Sequence, residues 1–229
     1  MKIHELHDWP LDPSAARCIQ EALVPRLRLE PLRAQPELVA GADAAFDRGR
    51  ALVFAAVLVF RFPDLELIEE ASAHGPADFP YVPGLLTFRE GPVMLKAFAQ
   101  LRSRPDVVLF DGQGIAHPRR LGLAAHMGLW LDIPTVGCAK SRLIGQHDDP
   151  GAIQGNSTPL MDGSDRIGDV LRTRDRVKPL FVSPGHRTDF DSARRMVLDC
   201  GRGLRLPEPT RRAHIAVTAR KREFLQRYR

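Results

Sequence analysis

The chain has 229 residues, 44% hydrophobic and only 7% aromatic, a length that suits one domain over residues 1–229 with a core filled mainly by Ala, Leu and Val. A net charge of +5 fits a polyanionic partner without requiring one. Three cysteines (Cys18, Cys138, Cys200) with no CxxC spacing argue against a disulfide framework or zinc site and for a reducing, cytoplasmic setting, while the absence of a leader pattern and an apolar run no longer than Ala51 to Phe60 argue against export and membrane insertion.

In chain order, a polar start leads into a helix over Pro13–Leu27, with Asp12 as its cap and Pro13 at its first position. Pro31 to Pro36 breaks the pattern. Leu38 to Phe46 is a strand with one charge, Asp43, in its middle. The turn Asp47-Arg48-Gly49-Arg50 follows, then strands at Ala51–Phe60 and Leu65–Ala73; such short connections make antiparallel hairpins. His74 to Phe88 is irregular, with Pro76, Pro80, Pro83 and Gly84. Arg89-Glu90-Gly91-Pro92 opens a helix to about Leu101, which Arg104-Pro105 ends. Val107 to Phe110 is a short strand buried on both faces; it ends on Asp111, with Gly112 and Gly114 beyond. Arg119–Leu131 is a helix and Ile133–Ala139 a strand. After Lys140 the pattern loosens. Gln146 to Asp165 reads as a surface excursion, and Val170–Arg174 with Pro179–Ser183 as a hairpin. Asp189–Cys200 is a helix, Pro207 to Pro209 a break, and Thr210–Tyr228 a basic final helix. Arg202 to Arg229 is then either a basic face or a solvated helix surface.

Three acids stand out from this layout. An acid inside an apolar strand is costly unless it is paired or bound to a cation. Asp43 is such an acid, Asp111 ends a buried strand where α/β folds place their ligands, and Glu90 opens the helix between them. If the first and fourth strands are neighbours, Asp43 and Asp111 lie side by side, and a divalent cation removes their mutual repulsion. Oxygen ligands favour Mg²⁺ or Mn²⁺ over zinc. Each acid also has a plainer reading: an ion pair or strand bend for Asp43, a helix-start charge for Glu90, a turn residue for Asp111. The order β-β-β-α-β-α-β, with acids in the first and fourth strands, is that of an α/β, ribonuclease H-like mixed sheet flanked by helices. His214 on the last helix is either a further member of the site or a surface histidine.

Five segments carry a resemblance: Val39 to Asp43, Pro80 to Glu90, Asp106 to His117, Gly137 to Ser141, and Leu206 to Arg211. The chain resembles the endonuclease V family through them, from about Arg17 to about Ala216. The resemblance implies metal ligation by Asp43 and Asp111, with Glu90 completing the acidic site. It implies Lys140 close to the scissile phosphate and His117 near the same site. Tyr81, held among Pro80, Val82 and Pro83, is implied as a wedge that stacks into the strand vacated by a flipped base. Gly84, Leu85, Gly112, Gly114 and Gly137 are implied as the lining of the base pocket. Some members carry Asp where this chain has His214, which leaves its part as a metal ligand open. The implied reaction is Mg²⁺-dependent hydrolysis, with Mn²⁺ as substitute, of the second phosphodiester bond 3′ to deoxyinosine in DNA, leaving a 3′-hydroxyl and a 5′-phosphate. Three rivals remain at this point: an endonuclease for inosine in single-stranded RNA, a non-catalytic nucleic-acid-binding module, and another nuclease of the same fold. No membrane and no obligate protein partner are expected.

Overall fold

The computed structural model describes residues 1–227. Eight strands form one mixed sheet: β1 (Leu38–Asp47), β2 (Leu52–Arg61), β3 (Glu66–Pro76), β4 (Val107–Phe110), β5 (Thr135–Ala139), β6 (Ser157–Asp162), β7 (Asp165–Leu171) and β8 (Leu180–Pro184). Their spatial order is β3-β2-β1-β4-β5-β8-β7-β6. The first three pair antiparallel, β1 pairs parallel with β4, and β4 pairs parallel with β5. Five helices flank the sheet: α1 (Pro13–Leu23), α2 (Leu86–Gln100), α3 (Leu123–Leu131), α4 (Phe190–Asp199) and α5 (Glu208–Arg227). This is the ribonuclease H-like α/β arrangement expected from the element order. No helix among the described residues is long and apolar enough to cross a membrane.

Side chains alternate across a strand, and the alternation sorts the core into two layers. Ala40 and Ala42 of β1, with Val108 and Phe110 of β4, pack against α2 and α3. Val39 of β1, with Val107 and Leu109 of β4, packs against α4 and α5. Asp43 continues the odd-numbered series of β1, and Asp111 that of β4, so both acids belong to the face that α5 covers. The register puts Ala42 opposite Phe110, and Asp111 N–H donates to Ala42 O at 3.2 Å. The two aspartates therefore lie side by side just past the last parallel pair of two central strands, Asp43 midway along β1 and Asp111 directly after β4. Gly41, one step below Asp43 on that face, has a reason to lack a side chain. A Cβ there would stand 2.1 Å from the Pro209 carbonyl carbon. That empty place lets the first turn of α5 lie on β1.

Several boundaries depart from the sequence reading. The start of the chain is not merely polar: His4 N–H donates to Trp130 O at 2.8 Å, and Trp9 stacks on Trp130 with ring centres 5.1 Å apart. α2 begins at Leu86, because Leu85 and Phe88 anchor its first turn in a small core with Ala16 and Phe79. Glu90 thus sits in the second turn, not at the opening. α3 begins at Leu123 rather than Arg119. Arg120 is left-handed (φ 55°), and the N–H groups of Gly122 and Ala124 are taken by Gly114 O and Gln113 O at 2.9 Å each. Those carbonyls satisfy donors that a helix start leaves free. The supposed excursion holds β6 and the start of β7, which extend the sheet; β7 does form the expected hairpin with β8. Pro209 does not break the chain but lies in the first turn of α5, where proline is tolerated. Tyr228, taken as the end of that helix, and Arg229 lie outside the described residues.

Candidate active site

Asp43, Asp111 and His214 converge: each offers one ligand atom, and those atoms lie within 4.8 Å of one another. Asp43 is buried, accepts a hydrogen bond from Ala44 N–H at 2.8 Å, and meets His214 Nδ1 at 2.7 Å through its other oxygen. Burial pushes the Asp43 carboxyl up, and the neighbouring Asp111 adds to the effect. Lys140, just past the end of β5, makes an ion pair with Asp111. Two neighbouring carboxylates and an imidazole form a donor set that fits a divalent cation, which would relieve the repulsion that the two acids otherwise share.

Glu90 reaches the same charge field from the α2 side of the sheet. Burial above all, with the negative charges of Asp43 and Asp111 adding to it and Arg89 opposing, pushes its carboxyl up to about 8. It is not a member of the close triad. The Arg89 guanidinium lies 3.6 Å over the Phe46 ring and 5.9 Å from the Tyr81 ring. One arginine thus links the end of β1 to the loop ahead of α2.

A cavity of about 350 Å³ opens beside the acids. Its walls include Tyr81, Val82, Pro83 and Gly84 on one side and Asp111, Gly112 and Lys140 on the other, with His117 and Leu123 between. Tyr81 is 70% exposed, so it is not a core aromatic. Pro80 stands exposed before it but does not line the cavity. Three residues expected in the pocket lining are not on the wall. Leu85 is buried in the small core under α2. Gly114 and Gly137 pack backbone to backbone; a Cβ on Gly137 would stand 2.3 Å from Gly114 N. They shape the floor beneath the cavity instead of presenting surface to it.

His117 is buried and faces the loop, not the acids: its Nε2 donates to Gly84 O at 2.8 Å. Desolvation pulls its pKa down to about 4. Sequence reasoning passed over Gln113, Arg205 and Gln20. Gln113, between the two glycines, lines the cavity and donates to Ser141 O at 3.0 Å. Arg205 donates to Lys140 O at 2.8 Å. Gln20 is buried in α1 and bonds across to Gly84. A polar residue inside an apolar helix face was the available signal for Gln20; nothing local distinguishes Arg205 from its basic neighbours. Part of the basic surface on α5 is spent within the fold, Arg220 on Glu70 and Glu223, Arg211 on Glu208, and Lys221 on Phe46 O.

The family model for endonuclease V matches residues 21–215. An endonuclease V from Alkalilimnicola ehrlichii is 47% identical over 222 residues, covering 96% of this chain and 98% of that protein. The crystal structure of endonuclease V from Streptomyces avermitilis superposes with a TM-score of 0.91 at 40% identity, covering 98% of this chain and all of the other. A structure of Ciona intestinalis endonuclease V, in complex with a 24mer DNA containing an inosine followed by a ribo-adenosine, shares the fold with a TM-score of 0.82 at 22% identity, over 92% of this chain and 98% of the other.

Proposed function

The chain belongs to the endonuclease V family, and we propose that its whole length acts as one domain that nicks DNA at deoxyinosine, hydrolysing the second phosphodiester bond 3′ to the lesion with Mg²⁺ and leaving a 3′-hydroxyl and a 5′-phosphate. The observation that carries this reading is the convergence of Asp43, Asp111 and His214 beside a cavity flanked by an exposed tyrosine. A bound divalent ion supplies Lewis acidity toward a phosphoryl oxygen and makes water a stronger acid. Asp43, Asp111 and His214 would hold that ion; the carboxylate oxygens suit Mg²⁺ and Mn²⁺ alike, and the imidazole nitrogen favours Mn²⁺, the softer of the two. Lys140 turns from Asp111 toward the phosphate and offsets its charge. Glu90, kept close to protonation by its surroundings, is placed to take or give a proton near the carboxylates. Tyr81 stacks in the space left by the extruded base, and a deaminated, mispaired base costs least to extrude. Backbone groups of Gly84 and Gly112 read the edge of hypoxanthine, which differs from adenine in its O6 acceptor and N1–H donor, and tight walls reject the 2-amino group of guanine. The free cysteines fit a reducing cytosol.

The deciding experiment is a nicking assay on inosine-containing and unmodified duplexes, in Mg²⁺, in Mn²⁺ and in EDTA, with the matching inosine RNA as a further arm. Asp43→Ala and Asp111→Ala should each abolish cleavage while inosine DNA is still bound. Activity that persists in EDTA, equal cutting of both duplexes, or undiminished cleavage by either variant would overturn the reading; preference for the RNA would move the substrate to inosine RNA.

A further inference from the structure

We infer that Gln20, His117 and Arg119 form a clasp on the Gly84 carbonyl that fixes the Tyr81 loop relative to the acids, which makes them positioning residues for base extrusion; the inference rests on the nuclease reading above. Three donors converge on that one oxygen: His117 Nε2 at 2.8 Å, Gln20 Nε2 at 3.0 Å and Arg119 Nη2 at 3.1 Å. A carbonyl offers two lone pairs. Two donors would already satisfy it, so the third adds orientation and not solvation.

The donor roles are fixed by the surrounding bonds. His117 Nδ1 accepts from Arg119 N–H at 3.1 Å, so the ring proton is on Nε2 and points at Gly84. Gln20 Oε1 accepts from Arg119 Nε at 2.6 Å, which leaves its amide nitrogen for Gly84 O and for Leu121 O at 3.0 Å. Helix α1 and the loop after His117 thus close on one atom from two directions. Gly84 itself is left-handed (φ 79°), a conformation that side-chain-bearing residues rarely adopt. Leu85 N–H closes the turn onto Val82 O at 2.9 Å, one residue past Tyr81. With Pro80 and Pro83 limiting the backbone on either side, a shift of the Gly84 carbonyl carries Tyr81 with it. Gly84 and His117 line the same cavity as Asp111, Gly84 across it from the acid and His117 beside it, so the clasp sets the span between the stacking ring and the carboxylates. Ordering that span before DNA arrives lowers the cost of binding the extruded state.

The test compares His117→Asn, whose shorter amide cannot reach Gly84, with His117→Gln, whose amide nitrogen occupies about the place of Nε2. Arg119→Lys is the third variant: one ammonium replaces a fork that bonds Gln20 and Gly84 together, at a half-exposed site that tolerates the change. Cleavage of inosine in duplex and in single-stranded DNA is followed at saturating Mg²⁺, with melting temperature alongside. His117→Asn and Arg119→Lys should raise KM on the duplex by about tenfold, the usual effect of one lost orienting hydrogen bond. Their kcat should stay within about threefold of wild type, the loss should shrink on the single strand, and His117→Gln should recover most of it. Equal losses on both substrates that track the melting temperature would overturn the clasp, as would a fall in kcat at unchanged KM. Failure of the wild-type protein to cut inosine duplex would instead bring down the nuclease reading, and is visible without any variant.

Discussion

At neutral pH the raised carboxyl of Glu90 separates two effects that one substitution can tell apart. Its folded pKa of about 8 lies above the ordinary glutamate value of 4.5, so the folded, metal-free protein holds a proton that the unfolded chain has released. Stability from this group is fully present below 4.5 and is lost as pH rises through about 8. Glu90→Gln removes that titration. The variant should lose activity yet show a flatter decline of melting temperature from neutrality up to about pH 8 in EDTA; identical pH slopes for the two proteins there would contradict the assignment. Tyr81 makes the opposite case, an aromatic whose role needs exposure. Base–aromatic stacking is worth roughly 1–3 kcal/mol, so Tyr81→Ala should weaken binding to inosine duplex by about ten- to a hundredfold. Tyr81→Phe should be nearly silent, and neither should change the melting temperature, because the ring is 70% exposed. A destabilised Tyr81→Ala protein with equal losses on duplex and single strand would end the wedge role. Tyr81 stood out in the sequence as an aromatic in a proline-bounded loop, and Glu90 as an acid near the start of a helix, although its place in the second turn did not. Gln20 and Arg205 did not stand out, because what they do depends on a carbonyl far along the chain.

At the scale of elements, strand signals carried well where the apolar runs were unbroken, as in β1, β2 and β4. Parity did the rest, since Asp43 and Asp111 each continue the odd series of their strands toward one face. Helix starts were harder to read. Leu86 and Thr87 follow a proline-rich loop and look irregular, and only the burial of Phe88 draws them into α2. The residues from Arg119 to Gly122 are bent away from the helix by backbone bonds of Arg120 to His117 and of Gly122 to Gly114. Tertiary partners overrode local preference in both places. The seating of α5 on β1 gives an element-level prediction. Gly41→Ala puts a methyl group into the Pro209 peptide, where backbone, unlike a side-chain tip, cannot swing aside. The cost should reach about 3 kcal/mol or more, and α5 should shift with His214. Loss of both melting temperature and Mn²⁺ affinity, measured by calorimetric titration, would bear this out; unchanged metal affinity would show that His214 does not depend on this seat.

Across the whole molecule, four histidines are held uncharged. Burial pulls down the pKa of His7, His117, His126 and His186. His7 Nε2 and His126 Nε2 meet at 2.8 Å between the start of the chain and α3, a contact that needs a bare nitrogen on one side. Since the unfolded chain takes up these protons first, near 6.5, the stability they carry is present above that pH and is lost as pH falls toward about 4, the value for His117. In the Glu90→Gln protein, which lacks the opposing titration of Glu90, the melting temperature without metal should therefore drop through this acid window, and a flat profile there would refute it. The seat of α5 bears also on when the enzyme comes into being. Asp43 and His214 are 171 positions apart in sequence, so a growing polypeptide carries the first carboxylate through a long stretch of synthesis before the histidine that completes the triad exists. A chain cut short by an early stop or by proteolysis ahead of Glu208 keeps the sheet's acids but not their third partner. Until α5 has been made and seated, a nascent chain therefore displays two acids without the imidazole that the finished fold gathers beside them.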